Sequence, residues 1–220
     1  MSMSDLIPGF GAESRGRGIV GVVIGIVTNN EDDEGMGRVR VRFPWRGDSG
    51  ESYWARVATL MAGNDRGTFF LPEVDDEVLV AFDHGDINHP YVIGALWNGV
   101  DTPPETNADG KNNIRTIKSR SGHEIIFDDN HEQNSEKMEI HTNAGHTILL
   151  DDSAGAEKIE IKDKTDNNKI TIDSVQNSIN IESVMQLKIK ANMVEIEGTT
   201  SLTLKSNAAL TIQGLPVKIN

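Results

Sequence analysis

The stretch SLTLKSNAALTIQGLPVKIN (201–220) carries apolar residues in pairs, with one polar residue between the two members of each pair. This alternation predicts short β-strands whose two apolar side chains lie on the same face. Six such pairs follow one another at steps of seven or eight residues: Ile179/Ile181, Leu187/Ile189, Val194/Ile196, Leu202/Leu204, Leu210/Ile212 and Val217/Ile219. Each unit of about eight residues therefore holds one short strand and one turn.

An octad of this kind is not stable alone. Burial of its two apolar side chains contributes about 3–5 kcal/mol, whereas ordering its backbone costs on the order of 8–16 kcal/mol. A solenoid made by one chain would need roughly 18 or more residues per coil to cover the apolar face. Three identical chains wound about one axis cover it more simply, because each supplies one side of a triangular prism.

We therefore favour an intertwined triple-stranded β-helix, a homotrimer, over a single-chain solenoid. The predicted trimer core comprises Ile179, Ile181, Leu187, Ile189, Val194, Ile196, Leu202, Leu204, Leu210 and Ile212.

A longer repeat precedes the octads. SGHEIIFDD (121–129) and AGHTILLDD (144–152) match in phase 23 residues apart, and DNNKITID (166–173) continues the series more loosely. The segments KMEIHT (137–142) and KIEIKD (158–163) lie between them and alternate in the same way. The pattern predicts a stack of strands, and its spacing also fits one coil of a single-chain solenoid.

The first half of the chain has the pattern of a small all-β barrel, closed or nearly closed. Five segments of strand character are separated by Gly, Asp and Asn turns. They are GIVGVVIGIVTN (18–29), GRVRVRFPW (37–45), SYWARVATL (52–60), DEVLVAFDHG (76–85) and PYVIGALWN (90–98). Arg38, Arg40 and Arg42 alternate with the apolar residues of the second segment, and we interpret them as a solvated face.

The turn-rich stretch DTPPETNADGKNN (101–113) is typical of a linker. We accordingly predict four parts. Residues 1–17 form a flexible N-terminal segment that could contact a hub, 18–100 form the barrel, 101–113 the linker and 114–220 the shaft.

Composition narrows the function. The 220 residues carry a net charge of −13. This charge argues against nucleic acid as a partner, because binding to phosphates depends on Lys and Arg. It also argues against an anionic membrane as a standing partner. There is no cysteine, so disulfide and thiolate chemistry are excluded. We find neither a signal peptide nor a membrane-spanning run and expect synthesis in the bacterial cytoplasm.

The candidate chemical groups favour no reaction. His123 and His146 occupy the same phase of the longer repeat, but no third ligand in register accompanies them, so we predict no metal site. The acidic clusters at 31–34 and 75–77 have the character of solvated turns rather than of a glycosidase pair. We predict no catalytic residue and no cofactor.

The barrel segments, in this order and spacing, resemble a known family. They are similar to the oligosaccharide/oligonucleotide-binding (OB) barrel of baseplate spike proteins. The segments that carry this resemblance are GRVRVRFPW, SYWARV, LPEVDDEVLVAFDHGD and PYVIGALWNG. That family includes phage baseplate assembly protein V and the VgrG spikes of type VI secretion. The octad shaft resembles the family's C-terminal triple-stranded β-helix.

The resemblance implies a homotrimeric, non-enzymatic, cell-puncturing spike in a virion tail baseplate or an equivalent contractile injection system. Its implied partners are a trimeric hub, a PAAR-type tip protein docking on Val217, Lys218, Ile219 and Asn220, and the target envelope, contacted transiently. VgrG proteins carry a hub domain before the barrel, so we expect a separate hub protein here. We expect no inserted lysozyme domain, because the linker 101–113 leaves no room for one. We also expect no His-x-His iron site of the kind found at the tip of some phage spikes, because the last histidine is His146.

Two other functions stay open at this point. One is an OB-fold binding module for glycan or nucleic acid on an oligomeric stalk. The aromatics that it would need, Trp45, Trp54 and Trp97, lie in apolar strand contexts, and we interpret them as core residues. The other is an envelope-degrading enzyme.

Overall fold

The computed structural model describes residues 18–47 and 50–218, and the chain divides into two compact units between Ala108 and Asp109. The predicted N-terminal segment and the predicted tip residues Ile219 and Asn220 lie outside the described residues.

The first unit is a closed five-stranded barrel with strand order β1-β2-β3-β7-β6. All neighbours are antiparallel except β3 and β7, which are parallel. The barrel strands are β1 (Val22–Asn29), β2 (Arg38–Arg42), β3 (Ala55–Val57), β6 (Glu77–Phe82) and β7 (Pro90–Ala95). The prediction of an all-β OB barrel is confirmed, with strands shorter than the segments that predicted them.

Alternation along the strands builds the barrel core. The inward residues of β2 and β6 are buried while their neighbours are not, as the two-residue period of a strand requires. Phe43 packs against Phe82 with ring centroids 5.5 Å apart. The buried core comprises Val27, Val39, Val41, Phe43, Ala55, Val78, Val80, Phe82 and Val92.

A small hairpin of β4 (Ala62–Gly63) and β5 (Arg66–Gly67) lies between β3 and β6, and the sequence patterns did not predict it. Gly67 has a φ of +146°, and a Cβ there would lie 2.3 Å from the carbonyl oxygen of Met61. Only glycine fits this approach of two backbones.

The interpretation of the tryptophans as core residues is wrong, because none of the three belongs to the buried core. Trp45 and Trp97 are 52% and 68% exposed, because β2 and β7 end before the chain reaches them. Trp54 is half-buried on the outside of the barrel, where the guanidinium of Arg40 lies 4.8 Å from its ring centroid.

The second unit contains one seven-stranded antiparallel sheet in sequential order. Its strands are β8 (Ile114–Lys118), β9 (Glu124–Asp128), β10 (Lys137–His141), β11 (Thr147–Asp151), β12 (Lys158–Lys162), β13 (Asn168–Asp173) and β14 (Ser178–Ser183). Each 23-residue repeat is therefore a hairpin unit of two strands, not one coil of a solenoid. Among described residues 184–218 no strand forms.

Candidate functional site: an uncovered apolar sheet face and an unpaired tail

The two faces of the shaft sheet differ in chemistry. The pairing register sets apolar residues opposite one another on one face from β8 to β14. For example, Ile140 faces Ile148 across one strand pair, and Ile159 faces Ile172 across another. We call this surface the apolar face. It comprises Ile117, Ile125, Phe127, Met138, Ile140, Ile148, Leu150, Ile159, Ile161, Ile170, Ile172, Ile179 and Ile181.

The apolar face is uncovered in a single chain. Many of its aliphatic side chains are between 37% and 68% exposed, and no residue from 109 to 218, all of them described, is buried. A shallow hollow of about 620 Å³ lies over its C-terminal half, lined by residues such as Ile148, Ile161 and Ile181. Contiguous apolar surface of this extent marks an interaction site.

The opposite face is polar and is joined by ion pairs between and along the strands. The ammonium of Lys137 lies 2.8 Å from the carboxylate of Glu139, and Lys162 lies 3.4 Å from Glu160. Although partial burial opposes ionisation, Lys137 and His141 lower the pKa of Glu139. The ammonium groups of these pairs remain partly exposed at the surface, where ion pairs contribute little to stability. The polar face is therefore suited to water, and the apolar face is the one that needs a partner.

The tail after β14 places the octad residues at regular intervals and leaves their side chains exposed. Its backbone bends at 184–185, 192, 199–200, 207–208 and 215–216, which is one bend per seven or eight residues. In the described residues 187–218 the backbone N–H groups donate to no backbone carbonyl of the same chain. The segments between bends therefore leave backbone donors and acceptors without backbone partners in the same chain.

The predicted core residues divide between these two regions. Ile179 and Ile181 lie on β14, on the apolar face. The other eight lie in the tail, where every one of them is exposed: Leu187, Ile189, Val194, Ile196, Leu202, Leu204, Leu210 and Ile212. Of the predicted tip residues, Val217 and Lys218 are described and are also exposed. Their roles in a trimer and at a tip stay predictions.

His123 and His146 hold successive turns together. The Nδ1 atom of His123 accepts a hydrogen bond from the backbone N–H of Asn143 at 3.2 Å. His146 Nδ1 accepts one from the N–H of Lys164 at 3.3 Å. The repeated histidine therefore joins neighbouring turns at one end of the strands. In the described residues no group of three or more His, Cys, Asp or Glu side chains is placed to hold a metal ion.

The two acidic clusters also organise turns. Asp32 accepts hydrogen bonds from Nε and Nη2 of Arg38 at 2.8 and 2.6 Å, and Arg38 holds the pKa of that carboxyl well below its usual range. Asp76 accepts the backbone N–H of Glu73 at 2.8 Å. A general acid needs a raised pKa, so Asp32 is unsuited to that role, and it also neutralises part of the arginine face of β2.

Comparison with known proteins agrees with the barrel's topology. Residues 23–97 match the family model of the type VI secretion system/phage-baseplate injector OB domain. The barrel region of this chain is therefore similar to the OB domain of the VgrG-like baseplate spike family. The predicted resemblance to this family is confirmed, and the order of the barrel segments is the feature of the sequence that indicated it.

Several curated relatives share this region. The type VI secretion system spike protein VgrG4b of Pseudomonas aeruginosa is 37% identical over 41% of this chain and 14% of its own length. VgrG2a of the same species is 34% identical over 46% of the chain and 12% of its own length. VgrG3 of Vibrio cholerae is 29% identical over 54% of the chain, which is 12% of that protein. The chain thus matches about an eighth of the length of these relatives.

No helix in residues 18–47 and 50–218 has the length and hydropathy of a membrane span.

Proposed function

We propose that three copies of this chain form the central, membrane-piercing spike of a contractile injection machine, such as a phage tail or a related secretion apparatus. The observation that carries the proposal is the apolar face, which runs across all seven strands of the shaft sheet and has many side chains that are 37–68% exposed. In a trimer three such faces meet around one axis and exclude water. At about 25 cal/mol per Å² this is the largest stabilising contribution available to the shaft.

The tail supports the same assembly independently. Its unpaired backbone and its regular bends fit a strand that finds its hydrogen-bond partners in two other chains. An intertwined tail would also resist bending and unfolding, because opening one octad breaks hydrogen bonds in all three chains. This resistance is what a piercing device needs when it transmits force.

The names of the relatives support a position for this chain in the machine. The relatives are spike proteins by name, and we propose that this chain links a separate trimeric hub to a PAAR-type tip protein. The tip protein would dock at Val217–Asn220, and the target envelope would be contacted transiently. The role is mechanical, with no reaction assigned to any residue.

Multi-angle light scattering of the purified full-length protein tests the trimer. We expect a mass three times the 24.1 kDa of one chain, unchanged on dilution into the nanomolar range. A folded species with the mass of one chain would overturn the proposal, since the apolar face would then be stable in water.

A further inference from the structure

The outer wall of the barrel is apolar on one side. Strands β1 and β6 read VVIGIVTN and EVLVAF, and they carry apolar residues on both faces. In the register of the two strands, Ile24 is opposite Leu79 and Val22 is opposite Ala81, all on the outside of the barrel. Ile93, at the bulge of β7, lies beside them. We call Val22, Ile24, Leu79 and Ile93 the wall patch; the three β-branched members are 45–51% exposed.

The other side of the wall is charged. On β2 the outward positions are Arg38, Arg40 and Arg42, and the first two pair with Asp32 and Glu51. A strand with one face in water alternates between apolar and polar residues, whereas strands covered on both faces are apolar throughout. The wall patch therefore has the composition of a covered surface, and β2 has that of a solvated one.

A second apolar surface lies on the loops of the same barrel. Met36, from the turn between β1 and β2, and Met61, Phe69 and Phe70, from the segment around the β4–β5 hairpin, line a groove of about 660 Å³. These four side chains, which we call the loop patch, are 53–78% exposed. The ring of Phe69 lies over Gly37, where an added Cβ would be 3.5 Å from its edge. No residue of the wall patch lines the groove.

Two unlike patches on one subunit fit the contact that a three-fold ring requires. In a cyclic trimer each subunit meets its neighbours through two different surfaces, so one patch of each copy faces the other patch of the next. The wall patch is a row of branched aliphatic side chains, and the loop patch is a groove lined by Met and Phe, whose flexible and aromatic side chains adapt to such a row.

We propose that the wall patch of each barrel packs into the loop patch of the next copy, so that the three barrels close into a ring. The inference rests on the proposed trimer, whose shaft would hold the barrels at high effective concentration. It identifies the second copy, rather than another protein, as the occupant of both patches.

Cross-linking through introduced cysteines tests the ring in the full-length protein. The chain has no cysteine of its own, so a bismaleimide of about 10 Å reach reacts only where a cysteine is placed. In the double variant Ile24→Cys/Phe69→Cys we expect each copy to link to the next. The expected product on a denaturing gel is a band at three times 24.1 kDa.

Matched variants give the controls. Ile24→Cys alone and Phe69→Cys alone should give no linked species, because like patches do not meet. Arg42→Cys/Phe69→Cys, with its first cysteine at an exposed position on the charged side, should give none either. All positions are at the surface, and light scattering of each variant checks that the trimer is intact.

The results separate this proposal from the proposed function. A three-fold mass without cross-links in the double variant would overturn the ring and leave the spike standing, with the patches facing another protein. Dimers from either single variant, or a link within one copy, would overturn the ring as well. Loss of the three-fold mass in the unmodified protein would remove the spike and the ring together.

Discussion

Gly25 lies in a tightly packed part of the barrel core. A Cβ at this position would be 3.3 Å from both Cβ of Val41 and Cγ2 of Val80, so two buried valines would have to shift by a few tenths of an ångström to admit a methyl group. We expect Gly25→Ala to lower the free energy of unfolding of the barrel by about 1–3 kcal/mol. Urea titration followed by tryptophan fluorescence measures this loss, because all three tryptophans belong to the barrel unit.

Gly94 is the matched control for this substitution. It lies in β7, and a Cβ there would meet nothing within 4 Å. Gly94→Ala should leave the urea midpoint close to that of the unmodified protein. Equal losses in the two variants would mean that packing against Val41 and Val80 is not the cause.

Asp32 gives the barrel a defined acid sensitivity. Arg38 lowers the pKa of Asp32 in the folded state, so below about pH 4 the unfolded chain binds the proton more readily than the folded one. The contribution of the Asp32–Arg38 ion pair to stability is therefore complete above that pH. It is lost as the pH falls towards the pKa of Asp32 in the folded state. We expect Asp32→Asn to have a flatter dependence of melting temperature on pH between about pH 4 and pH 2.

Asp33→Asn serves as the control, because Asp33 is exposed and next to Asp32 in the chain. Its melting curve should keep the slope of the unmodified protein across this pH range. If Asp32→Asn also kept that slope, the ion pair with Arg38 would not contribute to acid stability.

Much of the barrel could be predicted at this scale, and two tryptophans show why the rest could not. Alternation places Val39, Val41 and Phe43 inside correctly, because alternate residues of a strand lie on the same face and the apolar face is the one that packs in the core. Trp45 and Trp97 follow the last paired residues of their strands, and hydropathy alone does not mark where pairing stops. The ion pair of Asp32 with Arg38 depends on a turn that brings the two residues together, which spacing does not reveal.

At the scale of the element, the octads and the hairpins share the same alternation of apolar residues but form different structures. The hairpins pair within one chain, whereas the octads of the described tail do not. A 23-residue repeat with two apolar pairs fits one coil or one hairpin equally well. The turns decide, because Asx-type turns such as the one at Asp163 reverse the chain. There the carboxylate of Asp163 accepts the backbone N–H of Asn168. Hydrogen bonds from the side-chain amide of Asn168, and from Thr165, lower the pKa of Asp163 to about 2.

The tail provides the sharpest element-level prediction. In the proposed prism Leu204→Asp would put three carboxylates into one dry layer, which costs several kcal/mol in the assembled trimer. We expect the distal tail to open and the heat resistance of the trimer to fall, as measured by light scattering during a thermal ramp.

Thr203 gives the control, since it lies between Leu202 and Leu204 and would point away from the axis. Thr203→Asp adds the same charge to the same octad and should leave assembly intact. A Leu204→Asp variant as heat-resistant as the unmodified protein would contradict the proposed packing of the tail.

For the whole molecule, the two units differ in what they need from other copies. The barrel has nine buried core residues of its own, whereas the described part of the shaft unit has none. Expressed separately, residues 1–108 should fold as a monomer at micromolar concentration, and residues 109–220 should assemble as a trimer. Light scattering of the two fragments tests this, and a monomeric, folded shaft fragment would contradict it.

The repeat in the shaft has a consequence for how spikes of different reach arise. Each repeat adds two antiparallel strands, and neighbouring strands lie 4.7–4.9 Å apart, so one whole repeat changes the length of the stack by about 10 Å. Because the inserted strands come as a pair, the chain leaves in the direction in which it entered, and every later side chain keeps its side of the sheet. Duplicating or deleting genetic segments of constant size would thus change the reach of the proposed spike in fixed steps.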